Sequence, residues 1–426
     1  MDNTMLRAVA LIVCVGLVGC EWLKTDLVFC NLSEEEYMKC MDLATATNRD
    51  QMQDDRTFGS YYRPVRCTQP YQSTEDCMKE MDLAKEEAPS VMVVDAGDVF
   101  VGGRYHSLVP VLREVYENNR DYYHAVAVIK RGSLPDVRTL SDLRGKHACF
   151  AGVGTQAGWT IPLYNMLTKG FMPVSDCNNY VKSTSDFFAE SCAVNTLTER
   201  YNPLGDNSNK LCELCGSGEP GVRCTVKDPY AGFQGALRCL MDRGDIAFVK
   251  HNSVRKSQLS ADEFELLCLD GSRASVDEYE SCSWGTAPGH FVIVSSAMEM
   301  KERKAVQKFV SKMVQRYSGG GDYTRTNNNS TQSFAENEIL QSLAEVPETP
   351  FDINESIGGK YGDIADLLFS DDVREMIPIE PQDQLYRTVL KKTYGNSGIS
   401  PHENIQGKYY LALACTEIFT GLCTTA

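Results

Sequence analysis

The alternation of apolar and polar positions along the chain predicts a protein that combines buried β-strands with amphipathic helices. Nearly uninterrupted apolar runs, which are typical of strands covered on both faces, occur at Ala125–Ile129, Ile246–Val249 and Phe291–Ser295. Segments such as Glu75–Glu87 and Lys301–Tyr317 instead place apolar residues at helical spacing. This mixture predicts an α/β fold, with strands in the core and helices packed around them.

A glycine-rich stretch, Cys149–Pro162, has the pattern of a buried strand end, a tight turn and the first turn of a helix. Backbone N–H groups and the helix dipole favour an anion at such a turn. Gly152 and Gly154 would also begin a dinucleotide fingerprint, but the third glycine, Gly158, comes one place late. Glycines also allow a strand and a helix to pack closely with no ligand at all. The spacing alone leaves close packing, an anion site and a nucleotide site open.

Length and charge limit the partners that the chain can have. It contains 426 residues, 42% of them hydrophobic, which is enough for two ordinary cores or one large two-lobed unit. The formal net charge of −16 argues against nucleic acid and against an anionic membrane surface. It favours solubility or loose association with cations.

The N-terminus, Met1–Cys20, has the pattern of a secretory signal peptide, with an apolar run at Ala8–Val18 that is too short to span a bilayer comfortably. We therefore expect a secreted chain. Removal of Cys14 and Cys20 leaves fifteen of the seventeen cysteines in an oxidising compartment. Polar residues interrupt Tyr409–Ala426, which makes a poor glycolipid-anchor signal, so we expect no membrane anchor.

Two further features fit an extracellular chain. Asn-x-Ser/Thr sequons predict glycosylated surface loops at Asn31, Asn328, Asn329 and Asn354. A cysteine-rich excursion at Thr198–Thr225 has the composition of a disulfide-stapled loop. The alternative for its cysteines is a zinc site, formed by Cys192, Cys212, Cys215 and Cys224. A secreted chain favours disulfides, although counting cysteines does not give their connectivity.

The glycine-rich stretch is one of several segments with a familiar order and spacing. It contains Gly-x-Gly-x-x-Ala-Gly-Trp-x-Ile-Pro, and the others are Asp95–Gly97, Tyr123–Val128, Gly235–Leu240, Gly244–His251, Glu265–Gly271 and Ala287–His290. Together they resemble one lobe of the transferrin family, from about Cys30 to the C-terminus. The turn then becomes the family's anion-binding helix start.

The resemblance implies a disulfide-rich α/β fold: one periplasmic-binding-protein-like lobe of two α/β subdomains, with a hinge and an interdomain cleft. After a signal peptide at 1–20, it assigns 21–426 to the lobe. Subdomain 1 would contain 21–121 and 289–426, and subdomain 2 would contain 122–288. Transferrins usually have two lobes, and here we expect one.

The resemblance also implies the disulfide pairing. The implied bonds are Cys30–Cys77, Cys40–Cys67, Cys149–Cys239, Cys192–Cys215, Cys212–Cys224, Cys268–Cys282 and Cys177–Cys423, with Cys415 as the alternative partner of Cys177. One tail cysteine is then left over, which would allow a disulfide-linked dimer.

The family binds ferric ion through one Asp, two Tyr and one His, and the resemblance places three of these ligands in this chain. Asp95 matches the aspartate, Tyr123 the first tyrosine and His290 the histidine, while Phe233 stands in place of the second tyrosine. A hard trivalent cation needs several anionic oxygens, so the missing phenolate weakens the site. Asp95 also has a purely structural interpretation, as a helix cap or a bridge across the cleft.

The family's carbonate clamp departs further from the pattern. Ala151 replaces the family threonine and Thr155 the family arginine, which leaves only backbone N–H groups near Ala157 and Gly158 for the anion. The lysine pair that helps some lobes to open at low pH is reduced to Lys250, with Ser370 in the second position. We expect no required cofactor, and ferric binding with carbonate that is weak or absent.

These departures, with Gly170-Phe171, Asp176-Cys177 and Phe187-Phe188, make the chain most similar to the second lobe of the melanotransferrin branch. Single-lobe secreted proteins similar to this branch include otolith matrix proteins. The leading interpretation is therefore an extracellular matrix or calcium carbonate biomineral protein, with matrix proteins or a mineral surface as partners and Ca²⁺ at its acidic surface. The alternative is an iron carrier with a weakened or rearranged site. No spacing assembles a nucleophile with its base, so we expect no enzyme.

Overall fold

The computed structural model describes residues 26–53, 64–83, 88–176, 179–318, 351–354, 360 and 366–388. Several predictions lie outside these ranges: the signal peptide, the sequons at Asn328 and Asn329, and every bond or dimer that involves Cys177, Cys415 or Cys423.

Within the described ranges the chain alternates strands and helices, as the apolar pattern predicts. The strands are β1 (Leu27–Phe29), β2 (Val65–Cys67), β3 (Met92–Val94), β4 (Leu108–Tyr116), β5 (Tyr122–Lys130), β6 (Ala148–Phe150), β7 (Cys192–Ala193), β8 (Ile246–Lys250), β9 (Phe264–Leu267), β10 (Arg273–Ala274), β11 (Gly285–Pro288), β12 (Phe291–Ser295) and β13 (Val373–Pro378). The α-helices are α1 (Glu34–Gln53), α2 (Thr74–Leu83), α3 (Ala96–Tyr105), α4 (Ile161–Thr168), α5 (Tyr180–Phe187), α6 (Gly232–Asp242), α7 (Ser253–Lys256) and α8 (Met300–Tyr317).

A first unit is built around an antiparallel sheet with strand order β13-β4-β12-β3 among the described residues. Its largest core lies where α8 packs on this sheet. Phe309 and Met313 of the helix lie in one apolar cluster with Val292 and Val294 of β12, all of them buried. The periodic apolar face of α8 is thus what attaches it to the sheet.

A second unit is built around a larger mixed sheet, with order β10-β9-β5-β8-β6-β7 and with β11 also paired to β5 in the part that the structure describes. The central strand β5 is buried at every position from Tyr123 to Ile129, which agrees with its uninterrupted apolar run. Aromatic rings fill the adjacent core: Phe150 stacks on Phe248 with ring centroids 5.1 Å apart.

In the part of the chain that the structure describes, the backbone passes between the two units twice. It leaves β4 of the first sheet for β5 of the second, and it returns from β11 to β12. The two passages lie side by side, because the N–H of Gly289 donates to the carbonyl of Asp121 at 2.7 Å. A side chain at position 289 would clash, since its Cβ would lie 2.6 Å from the carbonyl oxygen of Glu114. The subdomain limits at 121/122 and 288/289 remain predictions.

The disulfides in the described ranges are Cys30–Cys77, Cys40–Cys67, Cys149–Cys239, Cys192–Cys215, Cys212–Cys224 and Cys268–Cys282. They are the pairings that the transferrin resemblance implies for these cysteines. Because Cys192, Cys212, Cys215 and Cys224 all form disulfides, their sulfurs are not free to bind zinc as thiolates.

The sequon at Asn31 is not in a surface loop, which corrects the expectation for that residue. Asn31 is fully buried beside β1, and its side-chain nitrogen donates to the carbonyl of Thr68 at 2.8 Å. A glycan on this nitrogen would have no room in the folded chain. Asn354 is partly exposed, and its glycosylation remains a prediction.

No helix in the described ranges combines the length and the apolar character that crossing a membrane requires.

Candidate functional site

The glycine-rich turn connects β6 to α4 at the edge of the second unit. Its backbone has positive φ at Gly152 and Gly154, at 152° and 95°. The helix then begins with one wide π turn over Gln156–Thr160, in which the N–H of Thr160 donates to the carbonyl of Thr155 at 2.9 Å. An ordinary helix start was expected. Pro162 has no N–H for the carbonyl four residues before it, which favours a different hydrogen-bond register here.

Close packing accounts for the later glycine of this turn. A Cβ at Gly158 would lie 2.4 Å from the Cβ of Ala151 and 2.7 Å from Oγ1 of Thr155. The hydroxyl of Thr155 donates to the carbonyl of Gly152 at 2.8 Å, so this side chain folds back onto its own turn. Ala157 and Gly158 are both buried at the helix start, where the sequence predicts the anion contacts.

Asp95 caps α3 and also bonds to the second unit. One carboxylate oxygen accepts the N–H of Gly97 at 2.9 Å. The other accepts the Tyr123 hydroxyl at 2.7 Å and, more weakly, the N–H of Gln156 at 3.4 Å. Burial raises the pKa of Asp95, against the lowering effect of these hydrogen bonds. Asp95 and Tyr123 are thus in contact, as the resemblance implies. Asp95 also has both of its alternative structural roles, because it caps α3 and bridges the two units.

His290 lies between β11 and β12 and is bonded at both ring nitrogens. The Lys250 ammonium is 3.2 Å from Nε2, and the Ser370 hydroxyl is 3.2 Å from Nδ1. Because an ammonium can only donate, Nε2 must be the acceptor and the proton of the neutral ring lies on Nδ1. Burial, followed by the charge of Lys250, lowers the pKa of His290 to about 3, so the ring is neutral at physiological pH.

The ammonium of Lys250 lies among residues that match the family's metal-ligand positions. Nζ lies 4.6 Å from the ring centroid of Tyr123 and 4.8 Å from that of Phe233. It also forms a 2.6 Å ion pair with Asp366. We call these five residues, Lys250, Asp366, His290, Tyr123 and Phe233, the ammonium cluster.

The charges of the ammonium cluster support one another. Burial disfavours the charge of Lys250, but the neighbouring carboxylates, Asp366 first among them, together outweigh this effect and raise the pKa of the lysine. Burial likewise opposes the charge of Asp366, and Lys250 nevertheless holds the pKa of that carboxyl well below its usual range. The pair is therefore ionised.

Beneath His290 lies a buried carboxyl that the sequence did not suggest. Glu114 on β4 is fully buried, accepts the Tyr116 hydroxyl at 3.2 Å and accepts the N–H of Ser370 at 3.0 Å. Burial raises the pKa of Glu114 to about 7. An acidic residue inside a largely apolar strand was the available signal for it. For Asp366, more than 100 residues from Lys250, no local pattern was available.

Tyr230, three residues before Phe233, does not replace the missing phenolate. Its hydroxyl donates to Asp242, at the far end of α6, at 2.5 Å. It is therefore not part of the ammonium cluster.

A cavity of 740 Å³ opens beside the turn and is lined by residues of both units, among them Thr155, Arg200, Tyr201 and Asp98. Arg200 bridges the units through a 3.6 Å ion pair with Asp98. Burial raises the pKa of Asp98 to about 6, although Arg200 lowers it. The lining carries acidic as well as basic side chains, so the cavity does not have the character of an anion site.

Known proteins share this arrangement of segments. The family model described as Transferrin matches residues 27–337. Transferrin 2 of Drosophila melanogaster is 42% identical over 303 residues, covering 70% of this chain and 36% of that protein. Ovotransferrin of Gallus gallus is 33% identical over 297 residues, covering 68% and 38%. Melanotransferrin of Homo sapiens is 31% identical over 285 residues, covering 63% and 36%. The chain thus matches well under half the length of these relatives.

Proposed function

The chain belongs to the transferrin family, and from that membership we propose that it is a secreted, glycosylated, non-enzymatic lobe that has lost strong ferric binding. The proposal rests above all on one observation. The Lys250 ammonium donates to Nε2 of His290, the histidine that matches the family's metal ligand.

A ferric ion would have to displace this ammonium. The two cations repel each other, and the nitrogen lone pair that a metal needs is already occupied by a hydrogen bond. Phe233 offers no donor atom where the family has a phenolate. The residues that match the ligand positions therefore do not form a donor set that fits ferric ion.

The anion side of the site supports the same proposal. Thr155 stands at the position of the family arginine, and its hydroxyl donates to the carbonyl of Gly152. The N–H of Gln156 at the helix start faces the Asp95 carboxylate instead. A second negative charge there would meet Asp95 without a guanidinium to offset the repulsion.

We further propose a role in an extracellular matrix or on a calcium carbonate mineral. The net charge of −16 supplies carboxylates in excess, and calcium accepts oxygen ligands in flexible geometry. Disulfides throughout the described ranges fit an oxidising compartment. The similarity to melanotransferrin fits the resemblance of the sequence to that branch.

A second candidate, an iron carrier with a rearranged site, is favoured by the retained contact of Asp95 with Tyr123. Both residues match family ligands, and the Tyr123 hydroxyl lies 2.7 Å from a carboxylate oxygen of Asp95. Part of the ferric donor set therefore remains assembled. The family binds ferric ion with carbonate, which makes this the natural competitor.

Calorimetric titration of the mature protein separates the two candidates. With ferric ion and bicarbonate we expect no tight binding, and with calcium we expect weak binding at several sites, together with adsorption to calcium carbonate crystals. Tight one-to-one ferric binding that is abolished by Tyr123→Phe would refute the proposed function and establish the carrier. Absence of both calcium binding and adsorption would refute the mineral role alone.

A further inference from the structure

We propose that one face of α8 binds a linear sulfated polysaccharide. Four lysines form this face, and we call them the lysine ridge: Lys301, Lys304, Lys308 and Lys312. The inference goes beyond the proposed function, with which it shares only the extracellular placement of the chain. It does not depend on whether the lobe binds ferric ion.

The spacing of the ridge lysines places them on one side of the helix. They follow one another at intervals of three, four and four residues, which separate neighbours on a helix surface. The first three are exposed and Lys312 is half-buried. At 1.5 Å per residue the ridge is about 16 Å long. Glu302 is the one acidic residue of α8, and because it directly follows Lys301 it lies about 100° around the helix from that lysine.

The opposite face holds α8 in a fixed orientation. Phe309 and Met313 are buried in the apolar cluster of the first unit. The two arginines of the helix are also engaged with the fold. Arg303 donates to a backbone carbonyl at 2.9 Å, and Arg316 forms a 2.5 Å ion pair with Asp50. The ridge is therefore a row of lysines alone, presented by a helix that is anchored from behind.

The positive charge of the ridge is available to a partner. Within the described ranges, no carboxylate forms an ion pair with Lys304, Lys308 or Lys312. Another surface lysine of this acidic chain does have such a partner, since Lys182 lies 2.6 Å from Asp206. Ammonium groups side by side repel one another, so a polyanion that lies along the ridge relieves this repulsion.

The acidity of the whole chain favours a thin partner. With a net charge of −16, the protein repels a flat anionic membrane or a broad duplex, which would approach the acidic surface around the ridge as well. A single linear chain contacts the ridge alone. At physiological salt, charges more than about 8–10 Å away from it are largely screened.

The chemistry of the ridge also separates one polyanion from another. A lysine ammonium is a point charge with rotating donors, which suits sulfate groups whose orientation varies along a chain. The ridge has no aromatic ring to stack on a base and no arginine for bidentate base contacts. The apolar side of α8 is buried, so the helix does not insert into a bilayer. A sulfated polysaccharide therefore fits better than a nucleic acid or a membrane.

Binding of a fluorescent heparin octasaccharide to the full mature chain tests the inference. EDTA is present in every sample, because calcium would otherwise bridge the acidic surface and the sulfates. We expect binding in 50 mM NaCl that weakens by about tenfold or more in 150 mM NaCl, as three to four charge contacts require. Absence of binding in 50 mM NaCl, or equal binding of a desulfated octasaccharide, would overturn the inference.

Two charge-matched variants locate the site. Lys304→Gln with Lys308→Gln removes two charges from the ridge, whereas Lys169→Gln with Lys227→Gln removes two exposed lysines elsewhere. We expect the first variant to weaken binding by about fivefold or more and the second by less than about twofold. Circular dichroism establishes that both are folded. Equal weakening would overturn the inference, because binding would then follow net charge and not the ridge.

Lysine acetylation of the wild-type protein tests the same site without any substitution. Bound octasaccharide should slow the acetylation of Lys304 and Lys308, followed by mass spectrometry, and leave that of Lys169 unchanged. Unchanged rates at the ridge would overturn the inference even if the ridge variant did not fold.

Competing polyanions test the choice of partner. Short single-stranded DNA and vesicles of phosphatidylcholine with phosphatidylserine are added to the bound octasaccharide. We expect neither to displace it at an equal concentration of negative charge, and displacement by either would overturn the assignment to a polysaccharide. Calcium is absent throughout, so the calcium titration and crystal adsorption described above test the proposed mineral role separately.

Discussion

At the scale of single residues, Gly158 carries a tight steric requirement in the turn. A methyl group there would overlap Ala151 and Thr155, both held by the backbone of the turn. We expect Gly158→Ala to lower the free energy of unfolding by about 1–3 kcal/mol, the usual cost of overpacking. Urea unfolding followed by circular dichroism measures this change.

Gly218 provides the control for this prediction. Its φ is not in the left-handed region, and an added Cβ would meet nothing within 4 Å. Gly218→Ala should leave the free energy of unfolding unchanged or slightly raised, since it restricts the unfolded chain. Equal effects of the two substitutions would show that the packing at Gly158 relaxes easily.

Glu114 makes stability depend on pH. Its pKa rises from 4.5 to about 7 on folding, so between these values the folded chain holds a proton that the unfolded chain has released. This contribution to stability is fully present below pH 4.5 and is lost as the pH rises through 7. We expect the stability of wild type relative to Glu114→Gln to fall by about 3 kcal/mol over that interval.

The measurement is a set of urea unfolding curves at half-unit pH steps for both proteins. Glutamine keeps the shape and an acceptor oxygen but does not titrate in this range. A constant difference between the two proteins at all pH values would contradict the raised pKa of Glu114.

The site residues show what the sequence could predict at this scale. Asp95 and Tyr123 were identified through the family resemblance, and the structure brings them into contact. Lys250 was identified too, but as half of a lost lysine pair rather than as the centre of a cluster. Its partner Asp366 could not be predicted, because their contact depends on the docking of two distant segments and not on any local period.

At the scale of secondary-structure elements, the apolar pattern was sufficient for the long strands and helices. The runs predicted at 125–129, 246–249 and 301–317 correspond to β5, β8 and α8. The pattern did not predict the π turn before α4. Apolar spacing reports which face is buried, whereas the choice between hydrogen-bond registers within one turn depends on local contacts.

The disulfide between Cys149 and Cys239 ties β6 to α6, beside the turn. It joins residues 90 apart in sequence, whereas Cys212–Cys224 joins residues 12 apart. We expect replacement of Cys149 and Cys239 by alanines to lower the free energy of unfolding by about 2–5 kcal/mol. This loss should exceed that for Cys212 and Cys224 by about 2 kcal/mol, because the disulfide that closes the longer loop restricts the unfolded chain more strongly.

Chemical unfolding of the two double-alanine variants tests this prediction. All four cysteines are buried, so the loss of sulfur packing is similar in both variants and largely cancels in the comparison. A greater loss for the shorter loop would show that folded-state packing, rather than loop length, determines the order.

At the scale of the whole molecule, the ammonium cluster lies where the two units meet. If its charge opposes ferric binding, then rebuilding the family ligands must fail while Lys250 is present. We expect Phe233→Tyr with Thr155→Arg to show no phenolate-to-iron absorption band on addition of ferric ion and bicarbonate. Adding Lys250→Met should produce the band, because the positive charge leaves as the phenolate and guanidinium return.

Visible absorption spectra during ferric titration give the answer directly. The single variant Lys250→Met is the control, since it removes the ammonium without restoring either ligand. A band of equal strength with and without Lys250 would show that the ammonium does not compete with the metal.

The double crossing between β4 and β5 and between β11 and β12 was predicted through the family resemblance, not from the apolar pattern. Periodicity identifies strands but does not say which sheet each one joins. The pairing of Gly289 with Asp121 explains why the two passages run together, and it becomes apparent only once both units are placed.

The contacts of Lys250 also bear on how far the identity of a residue reports its role. Tyr123 and His290 each match a family ligand, yet the structure gives each of them a partner within the chain. A residue can therefore match a ligand position in the sequence and still be engaged elsewhere in the fold. A site of this kind is recognised by the partners of its side chains rather than by their names.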